Sequence, residues 1–276
     1  MGFGTENGWG ADKETSFAIM DAYANAGGNF IDTANIYKLG TSEEIIGEYI
    51  STRDRDYWVI ATKYSLKDNE TNPNASGNNR KNMMRSVEES LKRLQTDFID
   101  VLYLHIWDDL TPIDEVLRGL DDLVRQGKVN YIAISDTPAW IVSKGNTMAE
   151  LMGWSQFVAL QVEYSLLQRT PERDLIPMAK HFGMTVTPWA PLAGGALTGK
   201  YLRGDFGRII TVSTSGSQLC VVVMPMAFCL AVAPVADDAV IAGEASGVDR
   251  SRLDGSTQRA ARLAVVPAVA EAALAE

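Results

Sequence analysis

The chain has 276 residues, 46% of them hydrophobic and 22% charged, a globular composition that can bury a sizeable core without disulfide or metal staples. A net charge of −10 argues against a nucleic-acid partner. Two cysteines, Cys220 and Cys229, are too few for a disulfide framework or a cysteine-rich zinc site, so no metal is expected. The first seven residues, Met1 to Asn7, lack a basic segment and an apolar core, so no signal peptide is read and a cytoplasmic location is the default.

Apolar or β-branched runs begin near Asn29, Tyr57, Phe98, Val129, Phe157 and Met184, at intervals of 27 to 41 residues. Each reads as a strand buried on both faces. Helical patterns lie between them. Thr41-Ser42-Glu43-Glu44 reads as a capping box opening a helix that carries Ile45, Ile46 and Tyr49. Asp54-Arg55-Asp56 reads as a solvated turn. Residues 80–95 put Met84, Val87, Leu91 and Leu94 on one face, with Arg and Glu opposite. Leu120, Leu123 and Val124 belong to a helix that Gly127 ends. Repeated strand–helix units predict parallel strands with right-handed crossovers.

An open doubly wound sheet and a closed eight-stranded barrel both fit this rhythm. No G-x-G-x-x-G follows a first strand, which disfavours the open dinucleotide-binding sheet. Asp32, Lys63, His105, Ser135 and Gln161 each end a different apolar run. Polar groups ending successive strands converge on one rim only if the sheet closes, and that rim is the active-site face of a barrel. The expected fold is therefore α/β, a TIM (β/α)8 barrel.

Beyond Lys200 the character changes, and no further lysine occurs. Residues 219–236 carry no polar side chain other than two thiols. Their length matches a membrane span, but Pro225 and Pro234 interrupt them and no basic flank follows. They read as a buried strand plus helix, or as a stretch under weak selection, with no membrane partner expected. Residues 257–276 read as helical at their ends, with Pro267 as a break. The expected organisation is a barrel core over 1–204 and an atypical Ala/Val-rich segment over 205–276. The sequence sets no oligomeric state.

Asp32, Tyr37, Lys63 and His105 make sense together for one task. A phenol is a poor acid at neutral pH. A nearby ammonium stabilises the phenolate and is expected to pull the Tyr37 pKa down. The Asp32 carboxylate would hold Lys63 charged, and the His105 imidazole would orient a carbonyl oxygen or relay the proton. The result is a general acid aimed at a carbonyl that receives a hydride.

The segments GGNFIDTANIY, SEEIIG, VIATK, FIDVLYLH, GKVNYIAIS, ALQVEYSLLQR and VTPWAPLAGGALTGKY resemble the aldo-keto reductase superfamily in order and spacing. The resemblance runs from about Gly4 to about Gly204. SDTPAW and EYSLLQRTPERDLIPMA look most like the aryl-alcohol dehydrogenase and norsolorinic-acid-reductase-like branch. The resemblance implies that Tyr37 is the general acid, Lys63 its pKa modulator, Asp32 the partner of Lys63, and His105 the carbonyl-orienting group. It implies that Ser135 and Gln161 hold the nicotinamide carboxamide and that Trp189 stacks under the ring. Leu192 to Lys200, with Gly194 and Gly195, would wrap the pyrophosphate; glycines there let backbone N–H groups approach phosphate.

Three departures from the pattern are expected to matter. Asp136 stands where the family carries Asn, keeping an acceptor but losing an amide donor. The family's first strand is not found, and with the atypical C-terminal segment this makes the expected barrel an incomplete one. The segment that grips the adenosine 2′-phosphate is not found after Gly204. The implied function is NAD(P)H-dependent reduction of aldehydes or ketones, aromatic carbonyls included. The cofactor would be NADPH, with NADH the alternative. The competing reading is an inactive or truncated barrel with a binding or regulatory role.

Trp9, Tyr64, Trp107 and Trp140 are expected on rim loops, where they either line an aromatic-tolerant substrate pocket or cap the core. His181 reads as a capping or surface residue at a helix end. Cys220 and Cys229 read as buried free thiols.

Overall fold

The computed structural model describes residues 3–69 and 71–199, together with the backbone of Cys220–Val223 and Leu230–Ala233. The chain divides into two units. Met1–Glu163 with Thr170–Trp189 form one, and Tyr164–Arg169 with Ala190–Glu276 form the other.

The first unit alternates strand and helix. Its strands are β1 (Phe30–Asp32), β2 (Val59–Tyr64), β3 (Ile99–Leu104), β4 (Val129–Ser135), β5 (Phe157–Glu163) and β6 (Thr185–Trp189). Its helices are α1 (Lys13–Asn25), α2 (Thr41–Ser51), α3 (Arg80–Leu94), α4 (Ile113–Arg125), α5 (Ala139–Met152) and α6 (Leu175–His181). All six strands lie on the apolar runs that the sequence marks out. They pair in parallel, in the order β1-β2-β3-β4-β5-β6.

Two contacts show that this sheet is curled. The Gln161 amide on β5 donates to the Asp32 carboxylate on β1 at 3.4 Å. The Tyr103 and Thr187 hydroxyls, on β3 and β6, lie 3.1 Å apart. In a flat sheet, strands four apart would stand about 19 Å from each other, since neighbours are about 4.8 Å apart. An Asp and a Gln cannot bridge that gap. The six strands form an arc of a (β/α)8 barrel, the architecture anticipated from the strand ends.

Alternation then sorts the side chains. Ala61, Val101, Tyr103, Ala133 and Ala159 form one buried cluster inside the arc. Their neighbours Ile60, Leu102, Ile134 and Leu160 are buried on the other face, towards the helix layer. Three alanines inside leave room for polar groups at the rim, while large aliphatic side chains outside seat the helices.

Local sequence sets the helix ends. The Asp12 side chain accepts from the Thr15 N–H to start α1, and Asn79 accepts from Asn82 to start α3. After α4, Gly127 adopts φ 73 and its N–H bonds to Val124, as its place in the sequence suggests. The capping box is a misreading. Gly40, at φ 99, is the N-cap of α2, and Thr41 is already helical. The side chains of Ser42 and Glu43 turn into the barrel wall because polar partners await them there. Asp54-Arg55-Asp56 is also more than a solvated turn. The Arg55 guanidinium bonds to Thr96, Asp100 and the carbonyls of Trp58 and Phe98, tying the entry of β2 to that of β3.

In the second unit, Ala193–Thr198 forms a tight turn with Ala193, Gly194 and Gly195 at φ 49, 61 and 97. Within 219–236 the described residues are two strands, β7 (Cys220–Val223) and β8 (Leu230–Ala233), paired antiparallel, where a strand plus helix was expected. Lys200, Cys229, residues 257–276 and the side chain of Cys220 lie outside the described residues. Among the described residues, no helix is long and apolar enough to cross a membrane.

Candidate active site

At the C-terminal rim of the arc, Asp32 ends β1, Lys63 is the penultimate residue of β2, and His105 follows β3 directly. Tyr37 starts the 3-10 turn Tyr37–Gly40 in the loop between β1 and α2. The fully buried Lys63 ammonium donates to the Asp32 carboxylate at 2.7 Å and to the Thr33 carbonyl at 2.7 Å. It also lies 4.8 Å from the centre of the Tyr37 ring. Tyr37 meets His105 edge to face, with ring centres 5.8 Å apart. Four residues from three strand ends and one loop thus share a single cluster.

The backbone underwrites this arrangement. The Asn35 N–H bonds to the Lys63 carbonyl, and the His105 N–H bonds to the Tyr64 carbonyl. The next two residues after Tyr37, Lys38 and Leu39, hold left-handed φ of 54 and 56, a conformation costly for side chains with a Cβ. Lys38 is held there by the Glu6 and Trp9 carbonyls and by the face of the Trp9 indole.

Electrostatics in the cluster differ from expectation at one residue. The Tyr37 phenol is pushed up rather than down, by burial first and then by the Asp32 and Asp136 carboxylates. It therefore carries its proton at neutral pH. Burial pushes Lys63 down, against the pull of Asp32, Asp136 and Glu43. Burial, with Lys63 second, pushes His105 down to about 3, so its imidazole is neutral. Its buried Nδ1 has no hydrogen-bond partner among the described residues.

The neighbouring rim suits a carboxamide. Ser135 and Gln161 are register partners on β4 and β5, and both are buried. A hydroxyl and a primary amide together supply donor and acceptor. Trp189, at the end of β6, donates its indole N–H to the Asp136 carboxylate at 3.3 Å. Asp136 sits at φ 36, and burial raises its pKa. Leu192, Gly194 and Gly195 belong to the second unit, in the turn described above.

The four rim aromatics separate. Trp9 is 56% exposed and rests on Lys38. Trp107 lies in the loop after β3, its backbone N–H directed at the Asp136 carbonyl at 3.4 Å. Tyr64 is not on a loop. It ends β2, buried, with its hydroxyl donating to the Asn78 carbonyl. Because it follows Lys63 in a strand, it must face the opposite side of the sheet. Trp140 lies in the first turn of α5 rather than in a loop. His181 is the last residue of α6 and is exposed, as anticipated.

Sequence reasoning missed Ser42, Glu43 and Thr62, and the chain Asn35–Asp68–Arg85 behind the Tyr37 loop. Glu43 left a trace: it shares a helical stripe with Ile46 and Ile50, where a carboxylate is out of place.

The Aldo/keto reductase family profile matches residues 1–208. The chain belongs to this family. It is 49% identical over 195 residues to an aryl-alcohol dehydrogenase [NADP(+)] of Phanerodontia chrysosporium, covering 67% of this chain and 51% of that one. It is 47% identical over 190 residues to norsolorinic acid reductase B of Dothistroma septosporum, covering 67% and 48%. With norsolorinic acid reductase of Aspergillus flavus it shares 43% over 206 residues, covering 71% and 53%. The chain spans about half the length of these relatives.

Proposed function

We propose that this chain carries the carbonyl-reducing site of an NADPH-dependent oxidoreductase, with aromatic aldehydes and ketones as the substrate class. The observation that carries the reading is the Asp32–Lys63–Tyr37–His105 cluster, in which a protonated phenol lies against a buried ammonium. Family membership and the names of the relatives support it.

The nicotinamide, when bound, supplies a hydride to the carbonyl carbon. Tyr37 gives its proton to the carbonyl oxygen as that oxygen gains charge. Lys63, anchored by Asp32, stabilises the phenolate left behind. Neutral His105, with an unpartnered nitrogen, orients the oxygen. Ser135 and Gln161 would hold the carboxamide, Asp136 would add an acceptor to the cofactor site, and Trp189 would offer its ring to the nicotinamide. Leu192, Gly194, Gly195 and Lys200 hold the pyrophosphate; the tight turn over Ala193–Thr198 supports the first three. Trp9 and Trp107 contribute to an aromatic-tolerant pocket. NADPH is favoured over NADH by the relative named for NADP(+). A barrel core over 1–204 and a cytoplasmic location complete the proposal, the location resting on a content of two cysteines that suits a reducing compartment.

The test is loss of NADPH absorbance in the presence of aromatic aldehydes. Activity that Tyr37→Phe abolishes supports the reading. Full activity in Tyr37→Phe would refute the assigned proton donor. NADPH binding by calorimetry without turnover would favour a binding role.

A further inference from the structure

Glu43 is a carboxylate with no solvent exposure, and the mechanism above makes no use of it. Its two oxygens are both committed. The Thr62 hydroxyl donates to one at 2.5 Å, and the Arg93 guanidinium donates Nε–H to the other at 2.7 Å. Thr62 precedes Lys63 and points to the opposite face of β2. Next to Glu43, the Ser42 hydroxyl lies 2.9 Å from that of Thr33, which is buried and follows Asp32. The Thr33 carbonyl is itself an acceptor of the Lys63 ammonium. The first turn of α2 therefore grips the residue beside each member of the Asp32–Lys63 pair.

The helix is brought close enough for this by Gly47. A Cβ there would stand 2.2 Å from the Arg93 carbonyl, so only glycine lets α2 lie on the end of α3. That contact sets Arg93 against Glu43. One nitrogen of the guanidinium, Nη2, is buried without a partner among the described residues, so the pair is not fully satisfied there. Arrangements of this kind are poor sources of stability, since desolvation offsets the attraction. A stabilising role alone does not account for a carboxylate here.

We propose that Glu43 is a positioning residue for the Asp32–Lys63 pair: through Thr62 it fixes the strand that aims the Lys63 ammonium, and it adds a negative charge behind that ammonium. The inference rests on the carbonyl-reductase reading of the cluster. The groups that face Lys63 are Asp32, Tyr37, Tyr103, His105, Asp136 and, across the strand, Glu43. Burial drives the lysine towards its neutral form, and the three carboxylates oppose this. A neutral lysine would not stabilise a phenolate.

The test compares Glu43→Gln, Glu43→Asp, Thr62→Val and Arg93→Lys in the full chain. Two quantities are read: kcat and KM for an aromatic aldehyde with NADPH across pH, and the titration of the Lys63 ammonium by NMR, assigned with Lys63→Met. Glu43→Gln should lower kcat by about tenfold, equivalent to 1.36 kcal/mol, with KM unchanged. The Lys63 titration and the basic limb of the pH profile should both move to lower pH. Glu43→Asp keeps the charge and should restore the titration. Thr62→Val should lower kcat with less effect on that titration. Arg93→Lys keeps a cation against Glu43 and should lower Tm while keeping kcat within about twofold.

An equal loss of kcat in Glu43→Gln and Arg93→Lys, which keeps the charge, would reduce Glu43 to a structural ion pair and overturn the proposal. So would an unmoved Lys63 titration in Glu43→Gln. If Glu43→Gln does not fold, Glu43→Asp and Thr62→Val decide by the same two readouts. Absence of reductase activity in the parent chain would defeat the functional reading alone, because the titration is read without turnover.

Discussion

The two faces of the six-stranded arc are built from adjacent residues and share almost no chemistry. Ile60, Leu102, Ile134 and Leu160 face the helices, while Lys63, Tyr103, Ser135 and Gln161 on the same strands face inward. The outer face gains from area removed from water, at roughly 25 cal/mol per Å². The inner face forgoes much of that and holds a buried ammonium, a neutral imidazole and a raised phenol. Away from the Thr62–Glu43 contact, the difference teaches that stability and chemistry are separable by parity along a strand, so moving one residue changes which property a substitution touches.

That separation can be broken most directly at Lys63. Lys63→Met should lower kcat by about 10²- to 10⁴-fold, the range of general acid–base assistance. Stability should hold or rise, because a buried charge is replaced by an apolar chain and Asp32, 30% exposed, keeps access to water. Steady-state kinetics and a thermal melt check both halves; a large fall in Tm would contradict the separation.

The outer face should give the reverse. Leu160→Ala, at a site with no solvent exposure, should cost about 2–5 kcal/mol of stability. The kcat per folded molecule should stay within about twofold. Denaturant unfolding combined with active-site titration measures this. A matching collapse of kcat would show that the faces are coupled.

His105 tests the inner face through pH. Its imidazole takes up a proton near 6.5 when unfolded and only near 3 in the fold. Between those values the unfolded chain binds more protons, so stability falls as pH falls through the window. His105→Gln removes this contribution. Its Tm should fall less steeply than the parent's over the same acid range.

The smallest effect is expected at Asp136. Burial raises its pKa, so the contribution it makes is full below the ordinary Asp value and is lost as pH rises through its value in the fold. Asp136→Asn should flatten that loss, visible as a gain in Tm relative to the parent on going from acid to neutral pH. It also supplies an amide donor beside Trp189, so NADPH should bind more tightly by isothermal calorimetry.

Much of this was legible in the sequence, for identifiable reasons. Continuous apolar runs mark β1 to β6 because both faces of a parallel strand are covered. Asp32, Lys63 and His105 were visible because a charged or titratable group ending such a run has few structural uses. What escaped depends on direction rather than identity. Ser42 and Glu43 fit a capping pattern, but a cap and a wall contact use the same side chains, and only the neighbouring strand distinguishes them. Tyr64 looked like a rim residue, although parity with Lys63 already sends it outward. The Tyr37 phenol was expected to fall because one ammonium was counted. Its desolvation and two carboxylates appear only once the sheet curls.

The first strand of the arc has a kinetic consequence. β1 is three residues long and, among the described residues, has a partner on one side only, β2. β3, by contrast, is paired on both sides. Asp32 stands on the strand with less to hold it, so the Asp32–Lys63 contact opens when β1 parts from β2, without wider unfolding. Deuterium should therefore enter Ile31 and Asp32 well before Leu102 and Tyr103. Cofactor binding should slow that early exchange most, since it would close over the end of the strand that lacks a second neighbour.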